Sequence, residues 1–191
     1  MSTALTLGAD GWIDQARRAP SPNCDAQTEP PQLLVIHHIS LPPGQFAGDD
    51  IERLFTNTLP AEGHPDYSWI SQLRVSAHWL IRRDGELVQF VSAGQRAWHA
   101  GASCWRGRQT CNDFSLGVEL EGTGDTPFTD AQYARLGELA RTLAAALPIV
   151  EMAGHEHIAP GRKSDPGPSF DWPRAQSACG LPVWFGDQSS T

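Results

Sequence analysis

The side chains best suited to chemistry fall at a few points along the chain. His37 and His38 close the apolar run Leu33-Leu34-Val35-Ile36. Successive strand side chains point to opposite faces, so one imidazole can face a cleft while the other packs or meets the far surface. A pair of hydrogen-bonded surface histidines is the plainer alternative. His155 and His157 lie in a Gly/Pro-rich stretch, ten and eight residues before Asp165. In an extended loop they would share a face and could bind a metal, although the spacing matches no helical zinc motif such as HExxH. In Arg162-Lys163-Ser164-Asp165-Pro166 the proline biases Asp165 towards an extended backbone, which projects Lys163 and Asp165 to one side. That pair is either a surface ion pair worth little or a metal-binding carboxylate beside a cation that can stabilise an oxyanion. Glu119 and Glu121 alternate with Val118 and Leu120 and so share one strand face. They make a solvated face, or one of them sits in an apolar cleft with a raised pKa and suits general-base work. Trp98-His99 is an aromatic–imidazole pair on a loop, or a tryptophan covering the core.

Two histidines with one carboxylate leave an open position for water on a zinc ion, which is the catalytic rather than the closed structural arrangement. Other chemistries find less support. There is no GxSxG elbow, P-loop or Rossmann glycine pattern. Cys104 and Cys111 would be nucleophiles only beside a base and with a lowered pKa. A two-His-one-carboxylate iron oxygenase usually orders its ligands HxD/E…H, whereas here the aspartate comes last.

These groups must be held by regular elements. Leu33–His38 reads as a buried strand and Asp49–Phe55 as a short helix with acids in its first turn. Val75–Arg82 and Glu86–Val91 flank Asp84-Gly85, a hairpin signal. Phe114–Leu120 is a further strand. Thr129 and Gln132 form a capping box ahead of Tyr133, Leu136, Ala140, Leu143 and Leu147, the clearest helix. Asp171-Trp172-Pro173 starts a short C-terminal helix. Residues 57–72, 92–113 and 153–170 read as long loops, with a helical turn around Trp12–Arg17. The sum is an α/β single domain, a central mixed β-sheet flanked by helices. Residues 1–31 form an N-terminal arm packing on the domain, 32–178 the catalytic domain and 179–191 a C-terminal tail, frayed from 184.

Composition narrows the class. The 191 residues carry 14 Lys+Arg against 22 Asp+Glu, a net charge of −8. That balance argues against nucleic-acid or anionic-membrane partners. No apolar run nears the roughly 20 residues of a membrane span. Four cysteines without a CxxC pair make neither a disulfide framework nor a zinc finger. No basic segment followed by an apolar one opens the chain, so a cytoplasmic location is expected.

The segments SPNCDA (21–26), LLVIHHISLPPGQF (33–46), LRVSAHWLIRRDGELVQFV (73–91), RAWHAGAS (96–103), CNDFSLGVELEGT (111–123), FTDAQY (128–133) and GHEHIAPGRKSDPGPSFDW (154–172) occur in the order of a known family. Together they resemble the zinc-dependent type-2 N-acetylmuramoyl-L-alanine amidases, and most of all their cytoplasmic branch acting on 1,6-anhydro-muropeptides in Gram-negative bacteria. The resemblance implies a zinc cleft on one face of the sheet, with one Zn2+ per chain held by His37, His155 and Asp165. It implies Glu119 and Lys163 as catalytic residues, and His38, Arg74 and Trp98 as substrate contacts. The expected reaction is hydrolysis of the amide between the lactyl group of N-acetylmuramic acid and L-Ala of the stem peptide, by a monomer, during muropeptide recycling. Two positions depart from the branch: His38 stands where Asn is common, and Thr110 where Arg is common, with Arg108 a nearby candidate substitute. His157 falls where the family keeps no histidine. The alternative is a peptidoglycan-recognition module that binds without turnover; retention of all three ligand positions, Glu119 and Lys163 argues against it.

Overall fold

A computed structural model describes residues 4–186. In chain order its elements are β1 (Arg17–Arg18), β2 (Cys24–Ala26), β3 (Leu33–Ile39), α1 (Asp50–Phe55), α2 (Tyr67–Ile70), β4 (Trp79–Ile81), β5 (Leu87–Gln89), β6 (Gln95–Ala97), β7 (Cys104–Trp105), β8 (Arg108–Gln109), a 3-10 turn (Cys111–Asp113), β9 (Ser115–Glu121), α3 (Asp130–Ala146), β10 (Glu151–Gly154), α4 (His155–Ile158) and α5 (Trp172–Cys179). Six strands form a mixed sheet in the order β1-β5-β4-β9-β3-β10. Within this sheet only β4 and β5 pair antiparallel, as the hairpin around Asp84-Gly85; β9 is parallel to both β3 and β4, and β10 is parallel to β3.

The central strands are buried on both faces, which explains their near-continuous apolar runs. Leu34, Ile36, Leu116, Val118 and Leu120 meet Leu136, Leu139, Ala140 and Leu143 of α3. Each such Val, Leu or Ile side chain contributes roughly 1.5–3 kcal/mol on full burial. The Thr129 hydroxyl accepts from the Gln132 amide at 3.2 Å while the Gln132 side chain accepts from the Thr129 amide at 3.0 Å, so the expected capping box forms. A Cβ on Gly137 would come within 2.8 Å of the Ala178 carbonyl, so the missing side chain lets α5 lie against α3. On the opposite face α1 and α2 bury Ile51, Leu54, Phe55, Tyr67 and Ile70 against Leu80, Val88 and Phe90.

Several expectations for the connecting segments change. Trp12–Arg17 is not a helical turn: Ile13 bridges Leu7 and donates its amide to the Gln89 side chain at 2.8 Å, and Arg17–Arg18 forms the sheet edge. Residues 57–72 hold one short helix because Tyr67 and Ile70, three apart, tuck under α1. The 92–113 segment contains β6, β7, β8 and the 3-10 turn. Its strands are too short for alternation to show, and β6 is built by pairing with the distant β2. The 153–170 segment begins with the end of β10 and α4. Trp184 is not frayed: it is buried and its amide donates to the Met152 carbonyl at 2.9 Å. Residues 187–191 of the expected tail lie outside the described residues. Among the described residues no helix is long and apolar enough to cross a membrane.

Candidate active site

The site grows from sheet register. Val35, His37 and Ile39 of β3 lie beside Gly117, Glu119 and Glu121 of β9, and Glu119 is in turn beside Leu80 of β4. His37 and Glu119 therefore project side by side from the face opposite α3. Ala153 pairs with Val35 and Gly154 with Ile36, so the next residue, His155, opens α4 next to His37. The Asp165 carbonyl accepts from the Glu156 amide at 2.8 Å, which folds the following loop back over α4. The result is a triangle: His37 Nδ1 to His155 Nδ1 is 3.0 Å, His37 Nδ1 to Asp165 Oδ2 is 3.0 Å, and His155 Nδ1 to Asp165 Oδ2 is 3.1 Å.

This donor set fits a zinc ion. Two imidazole nitrogens and a carboxylate oxygen are ordinary zinc ligands, and bonds of about 2.0–2.1 Å in a tetrahedron hold ligand atoms about 3.3 Å apart. His155 Nε2 lies 3.1 Å from the Ala100 carbonyl, which can only accept. A neutral His155 donating there presents a bare lone pair on Nδ1 to the centre of the triangle. These three residues are the only such group of His, Cys, Asp or Glu side chains among the described residues.

Charges around the triangle are strongly perturbed. Burial, and then repulsion from His155, pushes His37 down to about 4. Burial alone would raise the Asp165 carboxyl, but hydrogen bonds from His155 and His37 hold it well below the usual carboxylate range. Glu119 moves the other way: burial and then the Asp165 charge push it well above its ordinary value, with the Lys163 cation opposing. Glu119 Oε2 is buried with no hydrogen-bond partner among the described residues. Such an orphan acceptor is costly unless it has something to do.

A cleft of about 370 Å³ opens over these groups, lined also by His38, Trp98 and Lys163. A smaller cavity of about 250 Å³ adjoins it, lined by Arg74, Trp98, Asn112, Arg162 and Lys163 among others. The structure thus gathers His37, His155, Asp165, Glu119 and Lys163, with His38 and Trp98, around one cleft, and sets the exposed Arg74 at its side. Three sequence alternatives fall. Glu119 and Glu121 are buried, not a solvated face. His157 does not share a face with His155, because α4 is helical: its Nδ1 accepts from the Gly154 amide at 2.9 Å and its ring packs on Trp172 and Phe185. Arg108 does not replace an arginine at Thr110, since it is bound to Gln32 and Glu29 at 3.0 and 2.6 Å and lies over Phe114. Cys104 and Cys111 are free thiols, and burial raises Cys111 to about 11, far from a nucleophile.

Sequence alone does not mark His99 as a site residue. It was visible only as half of an aromatic–imidazole pair, yet its Nδ1 lies 2.9 Å from His37 Nε2.

Fold and site together define a mixed-sheet α/β domain with a cleft that could hold a metal, and comparison with known proteins gives its class. Residues 27–168 match the N-acetylmuramoyl-L-alanine amidase family, and the chain belongs to it. The chain is 55% identical over 175 residues to the 1,6-anhydro-N-acetylmuramyl-L-alanine amidase AmpD of Salmonella typhimurium (strain SL1344), covering 90% of this chain and 94% of that one. The crystal structure of a Se-Met AmpD derivative superposes with a TM-score of 0.88 at 52% identity, covering 91% of this chain and 99% of that one. A complex of the E. coli N-acetylmuramyl-L-alanine amidase AmiD with the substrate anhydro-N-acetylmuramic acid-L-Ala-D-gamma-Glu-L-Lys is similar at a TM-score of 0.59 and 27% identity, covering 96% of this chain and 68% of that one.

Proposed function

We propose that the protein hydrolyses the amide between the lactyl group of 1,6-anhydro-N-acetylmuramic acid and L-Ala of the stem peptide, using one zinc ion per chain. The observation that carries this is the convergence of His37, His155 and Asp165 beside Glu119, whose buried Oε2 has no hydrogen-bond partner among the described residues, in a chain so similar to an amidase named for that bond. His37, His155 and Asp165 would hold the zinc, which when bound would supply Lewis-acid chemistry to the carbonyl and to the attacking water. Glu119, buried and raised in pKa, takes the proton of the attacking water and delivers it to the leaving amine of L-Ala. Lys163 faces the carbonyl oxygen as negative charge develops there. Trp98 and His38 border the sugar and the peptide bond, and Arg74 offers a guanidinium to a stem-peptide carboxylate.

The same reading makes the protein a cytoplasmic monomer of muropeptide recycling. Supporting the compartment, all four cysteines are free thiols, as a reducing environment favours. The test is hydrolysis of anhydromuramoyl-tripeptide followed by mass spectrometry, with chelator and with zinc added back. Zinc-restored release of free tripeptide and anhydro-sugar supports the assignment. Tight zinc binding without cleavage overturns it in favour of a recognition module or of another wall fragment as substrate.

A further inference from the structure

The proposed ligand His37 reaches beyond the triangle through its second nitrogen. His37 Nε2 is 2.9 Å from His99 Nδ1, and His99 Nε2 is 3.3 Å from Ser115 Oγ. Ser115 has one hydroxyl hydrogen, and the Cys111 carbonyl, 2.6 Å away, can only accept it. Ser115 is then an acceptor towards His99, so a neutral His99 carries its proton on Nε2 and has a lone pair on Nδ1. The short contact between the imidazoles can be filled only by His37 Nε2–H. His37 is thereby left with its lone pair on Nδ1, the nitrogen that meets His155 and Asp165.

The surroundings hold His99 in this place. Asn112 Oδ1 accepts from the backbone amides of His99 and Ala100 at 3.2 and 2.8 Å. The ring lies directly on strand β9, where a Cβ on Gly117 would come within 2.5 Å of His99 Cγ. That strand position must be glycine for the ring to lie there. The Gly117 amide is in turn bonded to His78 Nδ1 at 3.0 Å, which fixes the strand beneath the ring. The two rings meet edge to face, with centroids 5.1 Å apart.

We propose that His99 is a positioning residue for the metal centre: the one-way hydrogen-bond chain from His37 through His99 and Ser115 to the Cys111 carbonyl fixes the tautomer and ring orientation of His37. The proposal rests on the assignment of His37, His155 and Asp165 as zinc ligands. Partners of this kind orient a ligand imidazole and typically carry about 10–100-fold in metal affinity.

The test measures zinc dissociation constants by chelator competition for full-length wild type, His99→Leu, His99→Asn, Ser115→Ala and Asp165→Ala, together with the visible spectrum of each cobalt-substituted protein. His99→Leu fills the space but accepts no hydrogen bond, and should bind zinc about 10–100-fold more weakly with an altered cobalt spectrum. His99→Asn places an acceptor near the former Nδ1 and should recover most of the affinity and the spectrum. Equal losses in His99→Leu and His99→Asn would overturn the relay in favour of simple packing. If His99→Leu does not fold, Ser115→Ala decides: wild-type affinity with an unchanged spectrum would overturn the proposal, and a weaker, altered site supports it. Wild type that binds zinc through Asp165 alongside an unaffected His99→Leu would refute the relay alone. Wild type that binds no zinc would refute the ligand assignment and the relay together.

Discussion

Glu119 and Glu121 sit two residues apart on the same face of the same strand, and both are buried, at 9% and 1% exposure. Their surroundings are opposite. Glu121 Oε1 accepts from Arg82 at 2.9 Å and from the Ala47 amide at 2.8 Å, and Oε2 from the Arg83 amide at 3.2 Å. Arg82 continues to Glu52 at 2.7 Å and to the Gly48 carbonyl at 2.7 Å, so every charge in that cluster has partners. Glu119 has a buried oxygen with none among the described residues, and its neighbours include the Asp165 carboxylate that opposes its ionisation. A buried carboxylate with a complete set of donors ties loops to a sheet. One held without donors, beside three side chains that could hold a metal ion, keeps its basicity.

The comparison breaks most directly by exchanging each glutamate for its neutral isostere. Glu119→Gln should lose turnover by about 10²–10⁴-fold, the usual weight of a general base, with the fold intact. Glu121→Gln should keep turnover per folded molecule but lose stability, up to about 3–5 kcal/mol when a buried ion pair loses one partner. Steady-state kinetics and urea midpoints on the same preparations separate the two. A stable, inactive Glu121→Gln beside an active Glu119→Gln would reverse the roles. Lys163→Ala comes next: loss of an oxyanion-stabilising group costs about 10²–10³-fold in turnover, while zinc stays bound because Lys163 is not in the triangle. Wild-type turnover in that variant would remove Lys163 from the chemistry.

The pH dependence of stability sharpens the contrast. Glu119 has a folded pKa raised above its unfolded value of about 4.3. Its contribution to stability is therefore fully present below about pH 4.3 and is lost as pH rises through the folded pKa. Glutamine does not titrate. In metal-free protein the Tm of Glu119→Gln should rise relative to wild type as pH increases from 4.5 to 8. A Tm difference that stays flat over that range would show that Glu119 is not held in the poorly solvated state its burial implies.

How much of this was legible in the sequence follows from how local each feature is. Strand alternation places His37 and Glu119 on definite faces, and the capping box and apolar spacing locate α3. The face of Glu121 was legible but not its solvation, because Arg82, its partner, lies just past the end of β4, 39 residues away. The parallel pairing of β9 between β3 and β4 joins distant segments, and no local pattern encodes it. An extended chain would set His155 and His157 on one face, but the helical turn they form, which no local pattern marks, parts them. His99 was hidden for a related reason: β6 spans three residues and takes its form from pairing with β2, so nothing local shows where the next residues point.

The smallest expected effect carries the contrast from anions to cations. Arg82 is buried at 7% exposure between two glutamates, whereas Arg74 is exposed, with Nη1 donating to the Ser71 and Leu73 carbonyls at 3.3 and 3.1 Å. Those bonds hold its guanidinium beside the smaller cavity, where Arg162 and Lys163 add positive charge. A stem-peptide carboxylate meeting such a group stays largely in water, so the pair is worth about 0.2–1 kcal/mol. Arg74→Ala should therefore raise KM only about 1.5–5-fold for an intact stem peptide, with kcat unchanged. For a substrate truncated to the L-Ala amide, which lacks the distal carboxylates, KM should not move. An equal rise for both substrates would mean that Arg74 acts on the cleft as a whole and not on the peptide charge.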